Sequence, residues 1–433
     1  MTARKTALRL LTELEEKDGF ANLLLSETIL ARAGSEAAFL TALFYGTVER
    51  RLTLDYALGA LSGRSLSDID PHVRRILHLG LYQLYFMSVP PHAAVTETVS
   101  LAEKRSERGF INAVLRAAVR AERALPLPSR EKDVSRYLSV RHSVPRTTVR
   151  RLLSLFKEEE TDSLLAFFNT EAPLSLTARD EQTRELLLRR YAEEGLAVRA
   201  ARYAPRTLHI DTPVSPRALY GYGEGLFIVQ DESSALSTVA LGAREGDTVV
   251  DVCSAPGGKI LGAALAAGGH GAFYAFDLHE SKLSLIKSSA ERLSLPVTVR
   301  ALDATVGDGA LDGCADAVIA DVPCSGLGVL RKKPDLRYRE ITGELPALQY
   351  EILVRASRYV RAGGVLLYST CTLLPEENGE VVSRFLREHS EFSLSPFTLG
   401  REDDPIKSDG TLTLLPHIHG TDGFFMARLV KKK

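Results

Sequence analysis

Two cysteines carry most of the chemical information in this chain. Of the four present, at 253, 314, 324 and 371, Cys324 lies in "DVPCSGLG" (321–328), behind an apolar run that ends in Asp321. Cys371 lies in "YSTCT", behind a second apolar run. A thiolate can add to carbon 6 of a pyrimidine. Carbon 5 then becomes an enamine-like centre that can attack an electrophilic methyl group, and loss of its proton expels the thiol, so one hard step is split into easier ones. The chemistry needs a thiol that ionises more readily than usual and an acid that can share a proton with the ring. Asp321, three residues before Cys324, is placed for the second task. The competing reading is that both thiols are small buried apolar groups, the ordinary fate of a free cysteine. Two of them at strand ends, beside a methyl-donor site, favour a working pair. Spacing alone does not say which one attacks.

The donor site is read from "DVCSAPGGK" (251–259). Gly257 and Gly258 allow a tight turn and a close approach of backbone to ligand. They are not spaced as Gly-x-Gly-x-x-Gly, and no phosphate-binding Lys-Ser/Thr follows, so NAD and ATP fit poorly. Asp277 ends the next apolar run, 26 residues after Asp251, and could accept hydrogen bonds from ribose hydroxyls. Asp303 ends the third run and could accept from an adenine amino group. A lone strand-end aspartate is more often a turn or helix cap. Three in succession favour a nucleoside ligand, and S-adenosylmethionine fits best.

These residues need a scaffold. From about residue 229 the pattern alternates strand, turn and helix: "TVVDV", "AFYAFD", "VTVRALD", "DAVIAD" and "GVLLYST" are separated by helix-length segments. That alternation predicts a doubly wound parallel α/β sheet with ligands at the carboxyl ends of its strands. Residues 1–130 read as all helix, with apolar positions three and four apart in "ALRLLTELEE" and "RRILHLGLYQLYF". Residues 131–228 read as a small α+β subdomain built from "PLSLTAR", "LAVRAAR" and "RTLHID" around a helical "EQTRELLLRRYAEEG". The expected organisation is therefore three domains, 1–130, 131–228 and 229–433.

At this level the chain resembles the RNA 5-methylcytosine methyltransferases, in particular the bacterial ribosomal RNA type (RsmB, Sun or Fmu). "QDESS" (230–234), "DVCSAPGGK", Asp277, Asp303, "DVPCSG", "RKKPDLRY", "LQYEIL", "YSTCT", "PEEN" (375–378) and "DGFFMARL" match family motifs in order, over nearly the whole chain. Ser254, Ile260, Val322 and Tyr338 are departures from the usual residues. The helical block ending in "FINAVLR" resembles a NusB-type RNA-binding domain, and the catalytic part is expected to have a Rossmann-like fold. The resemblance implies methylation of carbon 5 of a cytosine in 16S ribosomal RNA, naked or in a partly assembled small subunit, with S-adenosylmethionine as donor. It implies that Cys371 is the nucleophile and that Cys324 assists product release. Cys253, Ser254, Ala255, Pro256, Gly257, Gly258, Lys259, Asp277, Asp303 and Asp321 would line the donor pocket, with Lys259 and Asp321 also facing the base.

Bulk properties bound the rest. Lys and Arg number 54 against 55 Asp and Glu, a net charge of −1, so RNA would be held by local patches and not by overall charge. "RKK" (331–333), Arg337 and Arg339 are candidates for flanking phosphates, with Arg116 and Arg120 weaker ones. The cysteines are too scattered for a disulfide framework or a zinc site, so no metal is expected. No apolar run approaches the ~20 residues of a membrane span, and "MTARKTALRL" lacks a signal-type apolar region. A cytoplasmic location without membrane or obligate protein partner is expected. Two other functions stay open: methylation of an exocyclic amine through "DVPC", which has no use for Cys371, and a non-catalytic RNA-binding factor, which would bind no methyl donor.

Overall fold

The breaker "DIDP" works as a helix start. Asp70 accepts hydrogen bonds from the amides of His72 (2.8 Å) and Val73 (3.3 Å), and Pro71 stands where a missing N–H costs nothing. The helix so begun, Pro71–Phe86, buries Val73, Ile76, Leu77 and Leu84 against Ala37–Glu49, Arg51–Ser62 and Arg105–Arg120. This computed structural model describes residues 2–17, 24–25, 27–401 and 403–433. The chain forms two units, Met1–Thr170 with Leu330–Glu340, and Glu171–Val329 with Ile341–Lys433. No helix among the described residues is long and apolar enough to cross a membrane.

The regular structure of the first unit is entirely helical among its described residues, and it reaches past the boundary expected at 130. Val134–His142, Arg146–Leu155 and Glu158–Phe167 belong to it. Part of the reason is a polar seam. Thr53 Oγ1 donates to the Val140 carbonyl (2.5 Å), and the Leu52 amide donates to Ser143 Oγ (3.0 Å).

The segment Leu330–Glu340 corrects an expectation about RNA. Arg337, a candidate phosphate contact, is only 1% exposed. Its guanidinium donates to the carbonyls of His142 (3.0 Å) and Phe168 (2.6 Å) and to Asn169 Oδ1 (2.7 Å), and lies 3.7 Å from Glu49. Buried with both terminal nitrogens bonded inside the unit, it does not face RNA. Tyr338 is tied down similarly: its hydroxyl is within hydrogen-bonding distance of the Val48 and Glu49 carbonyls (3.0 and 2.9 Å), and Arg51 covers its ring at 4.0 Å. Arg331 stacks over Phe167 at 4.5 Å. Lys333 and Arg339 are exposed.

The second unit opens with four strands, β1 (Leu174–Ala178), β2 (Val198–Ala200), β3 (Thr207–Ile210) and β4 (Phe227–Val229). They pair antiparallel in the order β2-β3-β1-β4, and helix Glu181–Glu193 contributes Leu187 and Tyr191 to their core. The larger sheet follows: β5 (Thr248–Asp251), β6 (Ala272–Asp277), β7 (Val297–Ala301), β8 (Ala315–Asp321) and β9 (Val360–Thr370) are parallel. β10 (Phe392–Leu394) comes next, then a separate hairpin of β11 (Phe397–Arg401) and β12 (Asp404–Ser408), then β13 (Thr411–Leu414) and β14 (Phe424–Lys431). The order is β10-β14-β9-β8-β5-β6-β7, with β13 also on β14. The sheet is Rossmann-like, as expected, but mixed: β14 runs antiparallel to β9, β10 and β13. Only nine residues join β13 to β14, too few for the crossover a parallel pair needs. The chain reverses direction across the sheet between β5 and β8, the switch point where such sheets open a crevice for ligands.

Candidate active site

The turn after β5 is held from several sides. The Val252 amide donates to the Ile319 carbonyl (3.0 Å), the Ser254 amide to the Phe276 carbonyl (2.7 Å), and the Gly257 amide to the Ser254 carbonyl (2.6 Å). The Ala255–Pro256 peptide is cis. Gly257 has φ +106°, a conformation that disfavours any side chain, and Gly258 then opens helix Gly258–Ala266. Cys253 and Ser254 lie two and three residues past the buried Asp251, whose Oδ1 accepts from the Cys253 amide (3.3 Å). Burial, followed by the charges of Asp251 and Asp321, pushes the Cys253 thiol well up, which keeps it protonated.

Asp277 ends β6 and Asp303 lies two residues past β7. Asp277 Oδ2 accepts from the Ala255 amide (3.1 Å) and Oδ1 from the His279 amide (3.0 Å), so this carboxylate joins the glycine turn to the next strand. Asp303 is exposed, and its Oδ1 accepts from the amide and hydroxyl of Thr305 (2.9 and 2.7 Å). Those bonds, the hydroxyl first, hold it below the usual carboxylate range. Each acid is thus partly the turn or cap residue that a lone strand-end aspartate usually is.

Lys259, in the first turn of its helix, donates to Asp321 Oδ2 (2.7 Å), and Ser369 Oγ donates to Asp321 Oδ1 (2.7 Å). The Lys259 ammonium also lies over the Phe424 ring at 5.2 Å. Burial, the largest single cause, lowers its pKa, but the charge and hydrogen bond of Asp321 together with Asp251 and Cys371 outweigh it, so the net shift is upward. Asp251 moves the opposite way from an ordinary carboxylate. Burial, then repulsion from Asp321, raises it to about 7.

β8 and β9 pair with Asp321 opposite Ser369, which places the residues just beyond both strands side by side. The Cys324 and Cys371 sulfurs are 3.2 Å apart, and the Cys371 amide donates to Cys324 Sγ (3.3 Å). The hydrogen bond with Cys371, then burial, pushes the Cys324 thiol well above its usual range. At neutral pH Cys324 is therefore a thiol beside Cys371. Gly328 seals this end of the site. Its amide donates to the Cys371 carbonyl (2.9 Å) and its own carbonyl accepts from the Gly423 amide (2.9 Å).

Several residues here carried no role in the sequence reading. Ser369 orients Asp321, Phe424 lies beneath Lys259, and Gln349, Glu377 and Asn378 hold the thiol loops. They fall in "YSTCT", "DGFF", "LQYEIL" and "PEEN", segments that stand out as motifs but whose partners are distant in sequence.

Comparison with known proteins agrees with this layout. Residues 238–430 match the family model described as 16S rRNA methyltransferase RsmB/F, and residues 1–120 match the NusB family. A Bacillus subtilis relative named "Probable ribosomal RNA small subunit methyltransferase B" is 33% identical over 100% of this chain and 99% of its own length. The chain belongs to the RsmB family of ribosomal RNA small subunit methyltransferases. Another RsmB relative, ribosomal RNA small subunit methyltransferase B of Pseudomonas putida, is 32% identical over 90% of this chain and 89% of its own. Among solved structures, that of PH0851 covers 100% of this chain and 99% of its own at a TM-score of 0.81 and 26% identity. NSun6 from Pyrococcus horikoshii, solved with SFG, shares the fold over 67% of this chain and 98% of its own, at a TM-score of 0.57 and 22% identity.

Proposed function

We propose that this RsmB-family enzyme methylates carbon 5 of a specific cytosine in 16S ribosomal RNA through a covalent adduct of Cys371 with carbon 6. The observation that carries this reading is the pair of sulfurs 3.2 Å apart, next to the Lys259–Asp321 ion pair. A purely structural pair of cysteines would not need an ammonium and a carboxylate at its side. Methylation of an exocyclic amine would leave Cys371 idle.

The residues around the switch point fit a nucleoside methyl donor. Asp277 and Asp303 stand at the ends of neighbouring strands, and two apolar side chains near them in the chain, Leu278 and Val306, are 61% and 68% exposed. Exposed apolar side chains beside acids suit a purine with its ribose: the acids take the polar edges and the apolar groups take the flat face. S-adenosylmethionine bound there would supply an electrophilic methyl group.

In the proposed reaction the Cys371 thiolate forms a bond to carbon 6, and the ring's electrons move towards its polar edge. Lys259 compensates that developing charge, and Asp321, oriented by Lys259 and Ser369, pairs with the same edge. Carbon 5 then bonds to the methyl carbon as the methyl–sulfur bond of the donor breaks, its electron pair leaving with the sulfur as a neutral thioether. Cys324 is held protonated chiefly by its neighbour Cys371. Conversion of Cys371 to a neutral thioether removes the first of these causes and leaves burial and Asp321, so loss of the Cys324 proton to solvent becomes easier. As a thiolate it can take the carbon 5 proton. The C–H electron pair re-forms the C5–C6 double bond, and Cys371 leaves as a thiolate. The two thiols act in turn, the state of Cys371 biasing that of Cys324.

The first unit is proposed to supply RNA affinity and target choice, with Arg116, Arg120 and Lys333 exposed for phosphate contacts. The substrate reading is tested by mapping 5-methylcytosine in 16S ribosomal RNA from cells lacking the gene. One cytosine should lose its methyl group and regain it with the wild-type gene but not with Cys371→Ala. An unchanged methylation map would reject this reading.

A further inference from the structure

Each thiol loop is gripped on both sides by a buried polar side chain that takes no part in the steps above. Gln349, 0% exposed on helix Leu345–Ser357, donates from Nε2 to the carbonyl of Pro323 (2.9 Å), the residue before Cys324. Glu377, 2% exposed, accepts at Oε2 from the amide of Ser325 (2.9 Å), the residue after Cys324. The same Gln349 Nε2 donates its second hydrogen to that Oε2 (2.9 Å), closing the grip. The next residue in the chain grips the other thiol. Asn378 Oδ1 accepts from Thr370 Oγ1 (2.5 Å), and its Nδ2 donates to the Thr372 carbonyl (3.0 Å), on either side of Cys371. The Tyr368 hydroxyl donates to the Glu377 carbonyl (2.5 Å), anchoring this turn to β9. Ser325 Oγ and Thr372 Oγ1, 2.7 Å apart, join the two loops.

A fully buried amide and carboxylate are costly to desolvate, and an apolar cluster of the same volume is often at least as stable. Stability therefore gives a weak reason for three such groups to bracket two cysteines. Placement of reacting atoms gives a strong one, because an error of about 1 Å in such an atom can cost on the order of 10²-fold in rate. We infer that Gln349, Glu377 and Asn378 are positioning residues for methyl transfer, the first two fixing the Cys324 sulfur and the third the Cys371 sulfur. The inference rests on the thiol roles proposed above and assigns a separate clamp to each step.

The consequence is opposite effects on one observable. Gln349→Leu and Glu377→Ala displace Cys324, so the adduct forms but breaks down slowly. Asn378→Ala displaces Cys371, so the adduct forms slowly. The experiment uses the full-length enzyme, S-adenosylmethionine and a 16S ribosomal RNA transcript, with Cys324→Ala and Cys371→Ala as references. The covalent RNA–protein band is followed by denaturing electrophoresis, and donor affinity by calorimetry. Gln349→Leu and Glu377→Ala should raise the band and lower turnover by roughly tenfold or more, with donor affinity within about twofold of wild type. Glu377→Gln, which keeps an acceptor for Ser325, should restore most of the turnover. Asn378→Ala placed on Cys324→Ala should lower the band of that reference. If the references behave as proposed but the Gln349 and Glu377 variants lose activity without extra adduct, the clamps are merely structural and the inference fails. If the references themselves show no adduct difference, the thiol mechanism fails first and takes the inference with it. Should Glu377→Ala not fold, Gln349→Leu, similar in volume, decides the case alone.

Discussion

Asp251 is the residue whose cost is easiest to measure. Buried at the end of β5 and repelled by Asp321, it is raised from its ordinary value of 3.8 to about 7. The native state then holds a proton that the unfolded chain has released. The resulting stabilisation is fully present below about pH 4 and is lost as the pH rises through about 7. Asp251→Asn cannot titrate, so wild-type stability should fall relative to the variant over that window, by on the order of 1–4 kcal/mol. Urea unfolding at several pH values checks this, and parallel curves would show that Asp251 is an ordinary carboxylate. The strand-end acids were legible in the sequence because alternation of strand and helix marks where strands stop. Their partners were not. Nothing local to "AFYAFD" shows that Asp277 spends both oxygens on the amides of Ala255 and His279.

Among the elements, the parallel strands were visible as β-rich runs between helix-length segments, but not which of them are neighbours. Only pairing of β8 with β9 brings Cys324 to Cys371, and pairing is a non-local property that local pattern does not encode. The antiparallel edge was missed for the same reason. That edge contributes directly to the site through the contact of Gly328 with Gly423. A Cβ on Gly328 would stand 2.0 Å from the Gly423 carbonyl oxygen, so the loop carrying Cys324 would have to move away from β14. Gly328→Ala should cost about 1–3 kcal/mol of stability. Single-turnover methylation should also slow by more than the loss of folded protein explains. Thermal unfolding together with single-turnover kinetics checks this; normal kinetics would mean that the loop moves freely without consequence.

For the whole molecule, the helical first unit was legible from periodicity, while its extent was not, because the bonds that extend it, Thr53 to Val140 and Leu52 to Ser143, join residues far apart in the chain, and Leu330–Glu340 returns from farther still. "RKKPDLRY" read as one basic stretch, yet burial divides it. Arg337→Met should destabilise the protein by about 3–5 kcal/mol, since it strands Glu49 and three acceptors. In the folded protein it should leave the salt dependence of RNA binding unchanged. Lys333→Ala should do the reverse, with normal stability and a slope of log K against log salt smaller by roughly 0.7–1. Denaturant melts and RNA titrations at several salt concentrations separate the two; a reduced slope for Arg337→Met would return that residue to the RNA surface.

The central claim is that the two thiols act in sequence on one intermediate, and the most direct measurement is which variant traps RNA. Purified wild type, Cys324→Ala, Cys371→Ala and the double variant would be incubated with S-adenosylmethionine and 16S ribosomal RNA, then run under denaturing conditions. Cys324→Ala should carry covalently bound RNA. Cys371→Ala and the double variant should carry none, because effects of groups that work as a unit do not add. RNA trapped on Cys371→Ala instead would reverse the roles, and normal turnover in both single variants would contradict the covalent mechanism outright.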